Sequence, residues 1–373
     1  MQSVPLSSLS SPHPTGSGTR FILLGGFIGS GRTTAVARLA RHAQARGLSM
    51  AALLNDRGLS LVDSACLKWQ RVRVQEVVGG CLGTQGTRLT AAVERAGTDL
   101  LVAEPAGTCT NVLYHARREL GDAYRYAPVS VMVDPFVARN VLRGGSAMFS
   151  DGAIALYRQQ LEEADLIVLN KIDLLTAADR HDLEVLLASE FPRSTVLKVS
   201  LLTGEGVDAW LERLLIFEAA STCLGGDSAQ LGTAESRFAW LNCALQLSSI
   251  KGFDAHQVMG FVASIMRGHV EQRGAQLAHL KMFLETEYGP RECAELHQLP
   301  GQVKPEVSAE LSEPVESGRL WMNVRAECTP DLLNNATNLA LTQASEHFKH
   351  LFVRMENLEH FRPQPGLPTH AAA

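Results

Sequence analysis

From Arg20 onward, short runs rich in Val, Leu and Ile alternate with stretches whose apolar residues recur at helical spacing. The runs Phe21–Leu24, Met50–Leu54, Val72–Val78, Leu100–Ala103, Val129–Val133, Leu166–Leu169 and Val196–Val199 have the length and composition of strands buried on both faces. Between them, the stretch opening at Thr33 carries Val36, Leu39 and Ala40 on one side, and the one from Asp182 carries Leu183, Val185, Leu186 and Leu187. Both read as amphipathic helices. Repeated strand–helix units predict an α/β domain with a mostly parallel sheet over residues 20–215.

The flanking segments differ. Residues 1–19 are dense in Ser, Pro and Gly and predict a disordered lead-in, because ordering them would cost entropy without burial. Residues 216–235, with Leu224-Gly225-Gly226-Asp227-Ser228, read as a linker. Over residues 236–362 the expected order is strand (Phe238–Leu247), helix (Asp254 to about Gln272), strands at Leu277–Glu285, Val307–Leu311 and Arg319–Glu327, then a long helix. That helix has Thr329 as N-cap, Pro330 at its first position, and Leu332, Ala336, Leu339, Phe348, Leu351, Phe352 and Met355 at mostly helical steps. The order predicts a smaller ferredoxin-like α+β domain. Residues 363–373 form a proline-rich tail.

A length of 373 residues agrees with two domains, and 46% hydrophobic with 20% charged residues excludes wholesale disorder. The net charge of -5 supplies no overall attraction for a polyanion, so nucleic acid is not an expected partner. Seven scattered cysteines, an odd number in a long chain, predict a reducing cytoplasm rather than a disulfide scaffold. No apolar run approaches the roughly 20 residues of a membrane helix, so no membrane association is expected.

Three motifs carry chemistry. Gly26-Phe27-Ile28-Gly29-Ser30-Gly31-Arg32-Thr33-Thr34 follows a strand, opens a helix and matches the Gly-x-x-x-x-Gly-Lys-Ser/Thr phosphate loop at every fixed position except lysine, where Arg32 stands. Its glycines let backbone N–H groups approach phosphates, and Thr33 is placed to ligate Mg²⁺. Arginine's planar fork is bulkier than an ammonium, which predicts nucleotide binding with slow hydrolysis. Glu104-Pro105-Ala106-Gly107 ends a buried strand with an acid and a switch glycine; Glu104 can hold Mg²⁺ through water or orient attacking water, and the Gly107 N–H can meet the γ-phosphate. Asn170-Lys171-Ile172-Asp173 supplies a carboxylate that accepts both N1–H and N2–H₂ of guanine, while the Lys171 stem can cover the base. Ser200, one strand later, is a candidate for backbone contact with the guanine oxygen.

Together these residues resemble a CobW-type GTPase, related to the CobW/HypB/UreG metallochaperones. The resemblance implies a P-loop NTPase domain binding GTP or GDP with Mg²⁺, and delivery of Zn²⁺ or Co²⁺ to a client metalloprotein; a homodimer stays open. It also brings two departures. Where the family has Gly-Cys-x-Cys-Cys after the third strand, this chain has Gly80-Cys81-Leu82-Gly83-Thr84, so only Cys81 remains, and one thiolate cannot close a four-ligand zinc site without help from residues such as Cys66, Cys109 or His115. The family's Asn-Glu-Phe-Gly reads Asn55-Asp56-Arg57-Gly58, leaving Asp56 either as a water-mediated Mg²⁺ contact or as a strand-end cap.

The expected function is GTP binding with slow hydrolysis at Arg32 and Glu104. A non-hydrolysing nucleotide-gated interaction module is the alternative, and a small-molecule kinase using the same loop is disfavoured by the guanine-reading Asp173. His347 and His350, three apart on the expected last helix, read as a solvated pair beside Phe348 and Leu351.

Overall fold

The computed structural model describes residues 18–220, 238–287, 292–298 and 305–363, except 57, 60, 79–81, 83–85, 145–150, 310 and 312. Eight strands build the first sheet: β1 (Arg20–Gly26), β2 (Met50–Asp56), β3 (Arg73–Val78), β4 (Leu100–Glu104), β5 (Arg125–Tyr126), β6 (Ser130–Val133), β7 (Leu166–Leu169) and β8 (Thr195–Lys198). Their order is β3-β2-β4-β1-β6-β7-β8 with β5 beside β1, and the recorded pairings are parallel. All seven expected strands are present.

Helices α1 (Arg32–Ala45), α2 (Val62–Trp69), α3 (Gly86–Ala96), α4 (Val112–Leu120), α5 (Pro135–Leu142), α6 (Asp151–Glu162), α7 (Ala177–Glu190) and α8 (Val207–Ile216) connect and cover the sheet. Strand residues alternate between its faces: Phe21, Leu23, Leu53 and Leu101 pack with residues of α3, α4 and α6, whereas Ile22, Leu24, Leu54 and Val102 pack with residues of α1 and α8. In α7, Leu183 and Leu187 are buried as expected but Val185 is exposed, since it lies off the Leu183/Leu187 stripe. After β1 the chain visits β2, β3 and β4 on one side, then crosses to β6, β7 and β8 on the other. Such a reversal leaves a crevice at the carboxyl ends of the strands, next to the start of α1.

The second sheet contains β9 (Ala239–Phe253), β10 (Leu277–Thr286), β11 (Cys293–Gln298), β12 (Glu306–Ala309), β13 (Val315–Ala326) and β14 (Leu351–Phe361), with α9 (Ala255–Glu271) after β9 and α10 (Pro330–His347) after β13. Its order, β12-β11-β10-β13-β9-β14, is antiparallel throughout. Set aside the β11–β12 hairpin and a ferredoxin-like βαββαβ unit remains, so the fold class read from the sequence is the one observed.

Two details depart from expectation. The last helix ends at His347; His350 adopts a left-handed backbone (φ 76°), and Leu351 onward is strand β14. Apolar residues at 348, 351, 352 and 355 satisfy a helical spacing, but pairing along the whole of β9 supplies the sheet's fourth core strand and overrides that local pattern. The histidine pair is therefore split: His347 stacks on Phe261, and His350 lies beyond the helix. Strand β11 was missed because it is short and half polar.

Strict alternation also gives this sheet two unlike faces. Leu241, Cys243, Leu245, Leu280, Met282, Leu320, Met322 and Val324 form a core with α9 and α10. The intervening Trp240, Asn242, Lys281, Asn323 and Arg325 point the other way, toward the carboxyl ends of the parallel strands, where Lys281 meets Asp63 and Arg325 meets Asp56. Among the described residues no helix is long and apolar enough to cross a membrane. Because Leu245 is fully buried on the helix-facing side, Leu245→Ala should destabilise the protein by about 3 kcal/mol in urea unfolding.

Candidate functional site

Strand β1 ends at Gly26 with φ 137°, and Gly29 and Gly31 follow at φ 78° and 97°. At Gly26 a Cβ would stand 2.6 Å from the Met132 carbonyl oxygen, and at Gly31 2.4 Å from Asn170 Nδ2, so the loop is drawn too tight for any side chain at either position. Asn170 explains part of that closeness. Its Nδ2 donates to the Ser30 carbonyl (3.0 Å) and its Oδ1 accepts the Leu201 N–H (3.1 Å), tying the loop after β1 to those after β7 and β8.

Nearby, Ser200 Oγ donates to Asp173 Oδ1 at 2.5 Å, and the Ser200 N–H is taken by the Glu205 carbonyl. Lys171 has a left-handed backbone (φ 56°), and its ammonium lies 3.0 Å from Asp134 Oδ2. The loops after β7 and β8 are thus bonded to each other at Asn170–Leu201 and Asp173–Ser200, and of residues 170, 171, 173 and 200 only Lys171 is among those lining the cleft.

Acidic groups converge where α1 begins. Thr33 Oγ1 lies 2.8 Å from Asp63 Oδ1 and 3.3 Å from Glu104 Oε1. Glu104 is buried, and its Oε2 finds no hydrogen-bond partner among the described residues. Burial pushes its carboxyl up to about 7 against the pull of Arg32, with the Asp63 charge adding to the rise. The Arg32 guanidinium donates to the Pro105 carbonyl and holds Nε 3.8 Å from Glu104 Oε1. Gly107 sits beneath it, where a Cβ would approach Arg32 Nη2 and Ile28 Cγ1 at 3.2 Å.

The residues that sequence reasoning missed are Asp63 of α2 and residues of β10, β11 and β13. Lys281 Nζ, almost fully buried, lies 2.7 Å from Asp63 Oδ1 and 3.2 Å from Glu295 Oε1, and Glu295 Oε1 is 3.0 Å from His297 Nε2. Arg325 Nη2 stands 3.2 Å from Asp56 Oδ2, with its guanidinium 3.9 Å from the Trp240 ring centroid. Burial works to raise the Asp63 carboxyl, but the Lys281 ammonium overrides it and keeps Asp63 ionised well below the usual carboxylate range. His279 is pushed the other way, well below its ordinary value, by burial and then by the charges of His297 and Lys281. A cleft of about 1190 Å³, counting its open mouth, joins Gly29–Thr34, Asp56, Asp63, Glu104–Thr108 and Lys171 to Trp240, His279, Lys281, His297, Glu306, Asn323 and Arg325.

These positions coincide with a known domain. Residues 20–197 match the family model described as the CobW/HypB/UreG nucleotide-binding domain. Over that stretch the chain is similar to the CobW/HypB/UreG nucleotide-binding domains. It is 30% identical over 179 residues to the zinc chaperone YeiR of Escherichia coli strain K12, an overlap of 44% of this chain and 50% of that protein. The chain therefore spans about half the length of that curated relative. Among solved structures, the hydrogenase maturation factor HypB of Archaeoglobus fulgidus aligns at 22% identity and TM-score 0.41, covering 53% of this chain and 90% of that one. The Zn(II)-bound YjiA GTPase of E. coli aligns at 14% identity and TM-score 0.36, over 88% and 99% of the respective chains.

Within the CobW-type domain, Cys81 lies outside the described residues. Of its suggested helpers, Cys66 is buried with its thiol pushed up to about 12 by burial, and the Cys109 thiol faces Asn55 Oδ1 at 3.7 Å. His115 is held below its ordinary value by burial. Among the described residues no group of three or more His, Cys, Asp or Glu has an arrangement that would hold a metal ion, and no disulfide joins the described cysteines.

The loop after β4 is anchored from α6. Gln160 Nε2 donates to the carbonyls of Gly107 (2.9 Å) and Cys109 (3.1 Å), and Glu163 Oε2, just past the helix, accepts the Asn111 N–H at 2.7 Å. Burial raises the Glu163 carboxyl from 4.5 to about 7. Its neutral form is the stabilising one, so that contribution is complete below pH 4.5 and is lost as the pH rises through 7. Urea titrations across this window should show wild type falling relative to Glu163→Gln by about 1–3 kcal/mol, and parallel curves would refute the assignment.

Proposed function

We propose that the chain binds GTP and GDP with Mg²⁺ in this cleft, hydrolyses GTP slowly, and uses the nucleotide state to control delivery of zinc or cobalt to a client metalloprotein in a reducing compartment. The observation that supports the reading is the single cleft lined by Gly29–Thr34, Glu104 and Lys171. Kinship with a zinc chaperone over the nucleotide-binding domain supports the cargo.

The residues present fit a magnesium ion. Thr33 offers a hydroxyl oxygen, Glu104 has a buried oxygen without a partner among the described residues, and Asp63 is held ionised beside them. When bound, the ion neutralises charge building on the phosphate oxygens. The chain's own part is positional. Backbone N–H groups of the loop and the amino end of α1 bind phosphate, Asp173 accepts from guanine, and Glu104, when ionised, orients a water for in-line attack.

Arg32 sets the rate. Its guanidinium is engaged by Pro105 and lies close to Glu104, so reaching the phosphates requires breaking those contacts. That engagement favours the second reading, a nucleotide-gated module without turnover. Calorimetry should give GTP and GDP binding that ATP does not match, with selectivity lost in Asp173→Ala; equal affinity for ATP would overturn the proposal. In single-turnover assays Arg32→Lys should cleave GTP faster by about tenfold, equivalent to about 1.4 kcal/mol of barrier. Cleavage by that variant alone would select the module. For cargo, equilibrium dialysis should show Zn²⁺ or Co²⁺ held near one per chain and lost in Cys81→Ala.

A further inference from the structure

We propose that Lys281 is a tethered cation filling the acidic nest of the nucleotide-metal site, so that divalent-metal loading and docking of the second sheet on Asp56, Leu59, Val62 and Asp63 oppose each other. The inference rests on the reading of the cleft as a Mg²⁺–nucleotide site and adds the element that reports its occupancy.

A single oxygen is the crux. Asp63 Oδ1 accepts the Thr33 hydroxyl at 2.8 Å and faces the Lys281 ammonium at 2.7 Å. Glu104 lies 3.3 Å from the same hydroxyl, and Glu295 3.2 Å from the same ammonium. Two carboxylates, Asp63 and Glu295, therefore hold one buried ammonium, and Asp63 links it to the Thr33 hydroxyl that Glu104 also meets. Burial works to neutralise Lys281, but Asp63 and Glu295 override it and hold the ammonium charged well above the ordinary lysine value. A divalent ion drawn to Thr33, Asp63 and Glu104 competes for the carboxylate that Lys281 already occupies, and it arrives with twice the charge.

The competition reaches the second domain because Asp56, Leu59 and Val62 are fastened there as well. Asp56 pairs with Arg325, the Leu59 N–H donates to Glu359 Oε2 at 2.9 Å, and the Val62 N–H donates to Asn323 Oδ1 at 2.9 Å. Freeing Lys281 from Asp63 removes a further attachment, one made by a nearly fully buried ammonium. Linkage is reciprocal, so the factor by which docking weakens metal binding is the factor by which metal weakens docking.

The test uses the full chain. GDP affinity in EDTA is measured first with a fluorescent analogue; then Mn²⁺ affinity of the GDP complex is measured by electron paramagnetic resonance, and amide hydrogen exchange at Leu59 and Val62 is followed with and without Mn²⁺. Lys281→Met should tighten Mn²⁺ by about fivefold or more, at the lower edge of typical site coupling. Lys281→Arg, which keeps the charge, should stay near wild type. In wild type, Mn²⁺ should speed exchange at both amides. Unchanged or weaker Mn²⁺ binding in a Lys281→Met protein that still binds GDP in EDTA overturns the inference while leaving the nucleotide site intact. If Lys281→Met fails to fold, metal-insensitive exchange at Leu59 and Val62 in wild type overturns it instead. Failure of wild type to bind GDP at all defeats the underlying site, and this inference with it.

Discussion

A carboxylate shared between two domains organises this protein. Asp63 accepts the hydroxyl of Thr33, at the start of α1, and pairs with Lys281 from β10. Without Lys281, Asp63 would crowd the buried Glu104 at the mouth of the phosphate loop, and repulsion would push one acid to take up a proton. The second sheet thus does electrostatic work inside the first domain's site. It is able to do so because alternation along β10 and β13 sends Leu280, Met282 and Val324 to one face and Lys281 and Arg325 to the other.

Much of this was legible in the chain. Glycines were expected to bring the loop backbone close, and their positive φ angles and the short approaches at Gly26 and Gly31 are the physical form of that expectation. Asn170 was expected in one motif with Asp173, and it also braces the loop after β1 through Ser30. Strands of the parallel sheet were readable because burial on both faces leaves continuous apolar runs.

The other half of the cleft was hidden by distance along the chain. Asp63 and Lys281 are more than two hundred residues apart, and neither sits in a local motif. One signal was available: His279 and Lys281 interrupt the apolar stretch Leu277–Leu284 at a spacing of two, and Asn323 and Arg325 interrupt Leu320–Ala326 in the same way. Polar residues in phase on a strand mean a face with partners, but nothing local says which. The end of α10 was misread for a related reason, because apolar spacing at 348–355 fits a helix and a strand alike and only the vacant edge of β9 decides between them.

The β11–β12 hairpin, set aside when the ferredoxin-like core was described, widens the sheet enough for Glu306 to come within 3.8 Å of the Lys171 ammonium. The same sheet therefore touches the crevice twice, at Asp63 and again at Lys171. A molecule lying along the cleft would rest against both sheets at once, so neither alone would set how well it fits.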